Sequence, residues 1–293
     1  MEQRQSQWDT YMEGGVHAFQ NGRYAEAEKL FTAALKEVEE PGSRDLRLAM
    51  SLNTLAELYA TQGEFEKAEP LLKRSLEIRE QALGVDHPDV ATGLDHLAEM
   101  YFGQGKLDEA KAMYERALAI WDRAFGEDHV EVARGMNSLG WLYASQGNYE
   151  DAEPLLKRSL EIRENALGAD HPDVAATLNS LGEMYRTQER YAEAEPLFRR
   201  AIAIDEKALG TGHPGYATDL TNLAMLFAMQ EKFVEAEPLL QRSLAIMERV
   251  FGRDHPNNIL ILANLSQVYR VRGKYVDADE LDARLQNIKS KYN

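Results

Sequence analysis

Seven histidines and 49 acidic side chains are this chain's candidates for acid–base or metal chemistry, because it contains no cysteine. Five of the histidines are in phase: His87, His129, His171, His213 and His255 recur every 42 residues, each three residues after a glycine, from Gly84 to Gly252. Zinc is bonded by imidazole at about 2 Å, whereas successive units of a helical array are displaced by about one helix diameter, ~10 Å. Two such histidines therefore cannot share an ion. They read as loop residues ahead of helix starts, where Pro88, Pro172, Pro214 and Pro256 suit a first helical position.

The remaining polar clusters are weaker. His96 beside Asp95, and the isolated His17, have no metal-spaced partner. Carboxylates such as Glu99 and Glu183 read as a solvated helical face rather than as a catalytic pair. The sequence contains no phosphate loop, HExxH or GxSxG phrase. The expectation is a protein that is not an enzyme and that needs no cofactor or metal.

The elements that position these residues follow from the same period. Leu52, Leu55, Ala56 and Tyr59 return as Leu178, Leu181, Gly182 and Tyr185, an i, i+3, i+4, i+7 stripe that buries one helix face. Gly63, Gly105, Gly147 and Gly273 can turn left-handed at the end of that helix, while two copies carry Glu189 and Glu231 there at some cost. A second helix follows, typified by Ala68 to Ile78 with Glu69, Lys73 and Glu77 at i, i+4 spacing. Pro70, Pro154, Pro196 and Pro238 fall past its expected first turn and predict a kink or a late start.

Each unit is thus a helical hairpin, and seven are expected, near 8–42, 49–84, 91–126, 133–168, 175–210, 217–252 and 259–292 of a single array over 1–293. Their first helices are expected to begin near Trp8, Ala49, Ala91, Ala133, Ala175, Ala217 and Ile259. Asp279, Glu280 and Asp282, at positions where interior units place apolar or small residues, mark the last helix as an expected terminal cap.

Composition agrees with a folded array: 44% of residues are hydrophobic, enough for a continuous core. The net charge of -16 repels phosphate backbones and anionic lipids, so neither nucleic acid nor membrane is an expected partner. No apolar leader segment is visible at the N-terminus, and no apolar run is long enough to span a bilayer. A cytoplasmic location is expected, since a chain without cysteine suits a reducing compartment.

The order of small residue, aromatic, alanine, bulky residue and small residue at Ala98, Tyr101, Ala110, Tyr114 and Ala117 resembles the tetratricopeptide repeat (TPR) family. The long unit and the phrase running from Ala152 to Arg163 look like the kinesin light chain subgroup. The resemblance implies an all-α, right-handed superhelical solenoid whose concave groove, lined by the first helix of each hairpin, binds a peptide or protein segment. No heptad segment precedes the first unit, so a motor-linked role is not expected.

Carried onto this sequence, the groove comprises Asn53, Glu57, Asp95, Glu99, Phe102, Asn137, Trp141, Asn179, Glu183, Arg186, Asn222, Met225, Asn264 and Arg270. Amides can pair with a bound backbone or tie neighbouring helices together, and both readings stay open. Trp141 offers a wide anchoring surface among charged counterparts. Acidic Glu57, Asp95, Glu99 and Glu183 favour a neutral or basic segment over the acidic cargo of kinesin light chains. Trp121 is either an outer contact or packed beneath its own loop. The rival function is a scaffold that self-associates, as a homo-oligomer, through terminal helices bearing Trp8, Tyr11 and Phe19 or through its outer face.

Overall fold

A computed structural model describes residues 6–40 and 45–292. The first five residues of the stretch read for a leader, and residues 41 and 42 of the first expected unit, lie outside the described residues. Among those described, the chain is entirely helical, with fourteen α-helices and no strand. They form two compact units that meet in sequence at Gln146 and Gly147.

The first unit holds α1 (Gln7–Gln20), α2 (Tyr24–Val38), α3 (Leu46–Thr61), α4 (Phe65–Leu83), α5 (Pro88–Gly103), α6 (Leu107–Phe125) and α7 (Val130–Ser145). Helices α1 and α2, α3 and α4, and α5 and α6 pair as hairpins, and each hairpin packs on the first helix of the next. The second unit holds α8 (Tyr149–Leu167), α9 (Pro172–Thr187), α10 (Tyr191–Ala208), α11 (Pro214–Met229), α12 (Phe233–Phe251), α13 (Ile259–Val271) and α14 (Tyr275–Tyr292), with a 3₁₀ turn, Pro256–Asn258, before α13. Here α9 pairs with α10, α11 with α12 and α13 with α14.

Hairpins close because small and large side chains alternate across each pair. A Cβ on Gly15 would lie 2.5 Å from the Phe31 ring, and one on Gly182 would lie 2.7 Å from the Phe198 ring. Where the facing residue is the slimmer Leu72, an alanine, Ala56, is accommodated, and both are buried. The two helices of a hairpin are then tied together by serines: Ser75 Oγ of α4 donates to Ala49 O of α3, and Ser243 Oγ of α12 donates to Ala217 O of α11, each at 2.7 Å in the interior.

The phased histidines are N-caps. Nδ1 of His87, His129, His171, His213 and His255 accepts the backbone N–H two residues on, at 3.0–3.2 Å. This moves the helix starts: α5, α9 and α11 begin at proline, three residues before the expected Ala91, Ala175 and Ala217. In the last copy His255 caps a 3₁₀ turn opened by Pro256, and Asn258 Nδ2 adds bonds to Gly252 O and Arg253 O.

The expected late start at Pro70 does not occur. Helix α4 runs unbroken from Phe65, since Ala68 N–H already bonds Glu64 O at 3.2 Å and closes the first turn ahead of the proline. The same holds for Pro154, Pro196 and Pro238, which lie inside α8, α10 and α12. One missing backbone donor per helix is outweighed by the packed face.

Trp121 is 1% exposed, which removes the outer-contact reading. Its ring packs in the cluster shared by α5, α6 and α7, where a Cβ on Gly135 would come within 3.2 Å of it, and the Arg134 guanidinium stands 4.5 Å from its centroid. Trp8, Tyr11 and Phe19 pack against the core of the first hairpin, and Trp8 Nε1 donates to Ser51 Oγ at 2.8 Å. All three rings are half-buried in this packing.

Candidate functional site

The helix-A residues occupy two neighbouring registers. One register links successive first helices through residues 40 or 43 apart. In the first unit His96 Nδ1–H donates to Asn53 Oδ1 at 2.9 Å, and Asn53 is buried. In the second, Asn222 Nδ2 donates to Asn179 Oδ1 at 3.3 Å, and Asn179 Nδ2 donates to Asp219 Oδ1 at 2.6 Å. For Asn53, Asn179 and Asn222 the amides tie helices together. Asn264 Nδ2 returns to Leu260 O of its own helix. Asn137 differs: its Oδ1 is buried without a hydrogen-bond partner.

The second register is the accessible one. Glu57 on α3, Glu99 on α5 and half-buried Trp141 on α7 stand at equivalent positions of the first unit, and half-buried Glu183 and Met225 hold that position in the second. Glu183 is taken by Arg186, whose Nε donates to Glu183 Oε2 at 2.8 Å. Glu57 and Glu99 have no ion pair among the described residues, and both reach solvent. Phe102 is half-buried on α5. Arg270 is committed to the last hairpin, donating to Asp279 and to Asp282, which also accepts from Ser266 Oγ.

Between α3, α4 and α5 lies a cleft of about 340 Å³. Asn53, Glu57, Thr61, His96 and Glu99 supply its polar lining, and Ala60, Phe65, Leu72, Met100 and Gly103 its apolar one. Three residues expected in the groove, Asn53, Glu57 and Glu99, therefore converge. His96 was legible only as a residue beside Asp95; that it lines the cleft follows from the 43-residue link to Asn53.

The cleft's electrostatics follow from crowding. Burial between the helices, then the charges of Asp95 and Glu57, push the Glu99 carboxyl up to about 7. Burial raises Glu57 as well. Asp95, a turn before Glu99 and 3% exposed, is pushed up to about 6 by burial, against the pull of Arg134, whose Nε lies 3.7 Å away. Burial, with Arg134 and Arg79 nearby, drives His96 down to about 4, so its imidazole is neutral near pH 7. Asp95 does not face solvent as a groove residue would.

A second carboxyl cluster lies in the second unit. Asp205 and Asp219 are 6% and 1% exposed, and Asp205 Oδ1 and Asp219 Oδ2 are each buried without a hydrogen-bond partner. Burial, with the nearby Asp205 charge adding to it, pushes Asp219 up to about 7, and burial raises Asp205 as well. The pair sits inside the α10–α11 packing, where it shapes stability rather than reaching a substrate.

Among the described residues no group of three or more His, Asp or Glu side chains is arranged to hold a metal ion, and no helix is long and apolar enough to cross a membrane.

Comparison with known proteins accords with this geometry. The chain resembles the solved Podosopora anserina kinesin light chain with nearly identical TPR-like repeats, at 26% identity and a TM-score of 0.55, covering 70% of this chain and 96% of that one. BtubC from P. vanneervenii is also 26% identical, with a TM-score of 0.58 and coverage of 80% and 92%. A Rap protein complexed with Competence and Sporulation Factor shares the fold at 18% identity, with a TM-score of 0.70 and coverage of 98% and 76%. No curated protein matches the chain. The tetratricopeptide repeat model matches residues 10–81, 47–120, 89–165, 143–207, 173–248 and 216–291. With small-to-large hairpin packing repeated in both units and the model covering nearly every helix, the chain belongs to the tetratricopeptide repeat family.

Proposed function

We propose that this protein is an interaction adaptor that holds a neutral or basic peptide or protein segment against the accessible faces of its first-of-hairpin helices. The observation that carries the reading is the cleft between α3, α4 and α5, which gathers Asn53, Glu57 and Glu99, with Thr61 and His96, beside the apolar Phe65, Leu72 and Met100. Trp141, two helices along in the same unit, adds contact area, and Asn137 Oδ1, one turn before it on α7, is buried with its hydrogen-bonding capacity unused. Family membership supports a protein-binding role in general. What the Rap protein holds belongs to that protein, since the likeness there is one of fold.

The test is selection of a displayed random peptide library on the full chain, followed by binding of the enriched peptides to Trp141→Ala and Asn137→Ala. Enrichment of a common motif whose affinity falls about tenfold in either variant supports the reading. No enrichment, or affinities unchanged in both, overturns it.

Self-association has one observation in its favour. Tyr275 of α14 is 62% exposed, while the equivalent Phe65 and Phe233 are half-buried. A monomeric mass across protein concentrations in sedimentation equilibrium would exclude it.

A further inference from the structure

The adaptor reading leaves open which side chain of a bound segment enters the cleft, and three observations bear on that. The apolar lining from Phe65, Leu72 and Met100 suits an alkyl stem. Glu57 and Glu99 come from two different helices and make no ion pair among the described residues, Arg134 acting on Glu99 only from a distance, although the equivalent Glu183 has Arg186. Asp95, nearly fully buried one turn from Glu99 on α5, keeps an unpartnered Oδ1, so the region carries more acceptor capacity than the fold uses.

Resting on that reading, we propose that this cleft receives a lysine side chain of the bound segment, its stem against Phe65, Leu72 and Met100 and its ammonium between Glu57 and Glu99. Lysine fits better than arginine because two separate carboxylates suit a compact ammonium with three rotatable donors, whereas a guanidinium fork is satisfied by one carboxylate bidentately. The nearest fixed cations do not compete. Arg134 is held by Glu131 at 3.0 Å and stacks on Trp121, and Arg79 Nη1 donates to Asp89 O.

Binding should depend on pH. Glu99 faces Glu57 from α3, Asp95 on its own helix, Tyr114 from α6 and Arg134 from α7, with His96 neutral alongside and Arg79 of α4 close to that ring. An incoming ammonium favours the ionised Glu99, so it releases a proton and binds more tightly at pH 8 than at pH 6.

The experiment uses the full chain with ¹³C-methyl methionine, reading the Met100 methyl while pentylammonium, or 1-pentanol as the uncharged control, is titrated at millimolar concentration. The expected result is a saturable Met100 shift with pentylammonium, stronger at pH 8, about tenfold weaker in Glu57→Gln and in Glu99→Gln, and absent with pentanol. Both positions are solvent-accessible, and unchanged Met113 and Met247 methyls verify that each variant is folded. An equal response to pentanol, or no saturable response to the amine, overturns the proposal. The adaptor reading fails separately: enriched peptides that bind without lysine would sink this inference alone, and amine binding with no enriched peptide would sink the adaptor alone.

Discussion

Glu189 and Glu231 sit at φ of 59° and 60°, in the left-handed region that the other hairpin turns fill with glycine, such as Gly63 at 77°. A side chain there costs about 1–2 kcal/mol, offset in part by the greater unfolded-state freedom of glycine. Glu189→Gly and Glu231→Gly should each stabilise the protein by ~0.5–1 kcal/mol in urea unfolding. This strain was legible in the sequence as two breaks in a glycine series. The Asp205–Asp219 pair was not, because residues 14 apart on different helices show no spacing signal. Both carboxyls titrate above their ordinary values, so their contribution to stability is present below about pH 4 and is lost as pH rises through about 7. Asp219→Asn keeps an acceptor for Asn179 and offers Asp205 a permanent donor. It should flatten the pH dependence of the melting temperature and raise stability at pH 8 by ~1–3 kcal/mol relative to wild type.

At the scale of the element, the helical hairpins could be read from period and stripe, yet their first turns could not. The sequence placed histidine before proline as a loop; the structure gives it the work of an N-cap, which sets helix starts three residues earlier than the hydrophobic stripe alone suggests. His171→Ala should cost about 1 kcal/mol by removing the acceptor for Asp173 N–H, and His171→Asn should restore most of it. Equal loss in both variants would mean that ring packing, rather than capping, is what His171 contributes. The internal prolines misled for a related reason: their position was read against a later first turn, whereas α4 is already closed through Glu64. Trp121 was ambiguous because a large aromatic in a column shared with Arg79, Arg163 and Asp205 has no polarity pattern to follow. Gly135, where the added Cβ would meet the ring, is the residue that makes room for it.

For the whole molecule, the repeat settles the fold class while leaving the partner open, since any segment that complements the accessible first-helix faces could bind. The sequence correctly grouped Asn53, Glu57 and Glu99, because a fixed period places equivalent residues side by side. It could not say that Asn53 and Asn179 are spent on neighbouring helices, that Arg270 braces the last hairpin, or that crowding would hold Glu99 near neutrality. Those depend on what each side chain meets, and the period says only where it stands. The central claim is that first-of-hairpin helices carry the ligand. The most direct measurement attaches a nitroxide to a library-selected peptide and records broadening of the methionine methyls of the full chain. The account predicts broadening at Met100 of α5 or Met229 of α11, with Met113 of α6 and Met247 of α12 remaining sharp. Broadening confined to Met113 or Met247 would put the ligand on the opposite faces and contradict it.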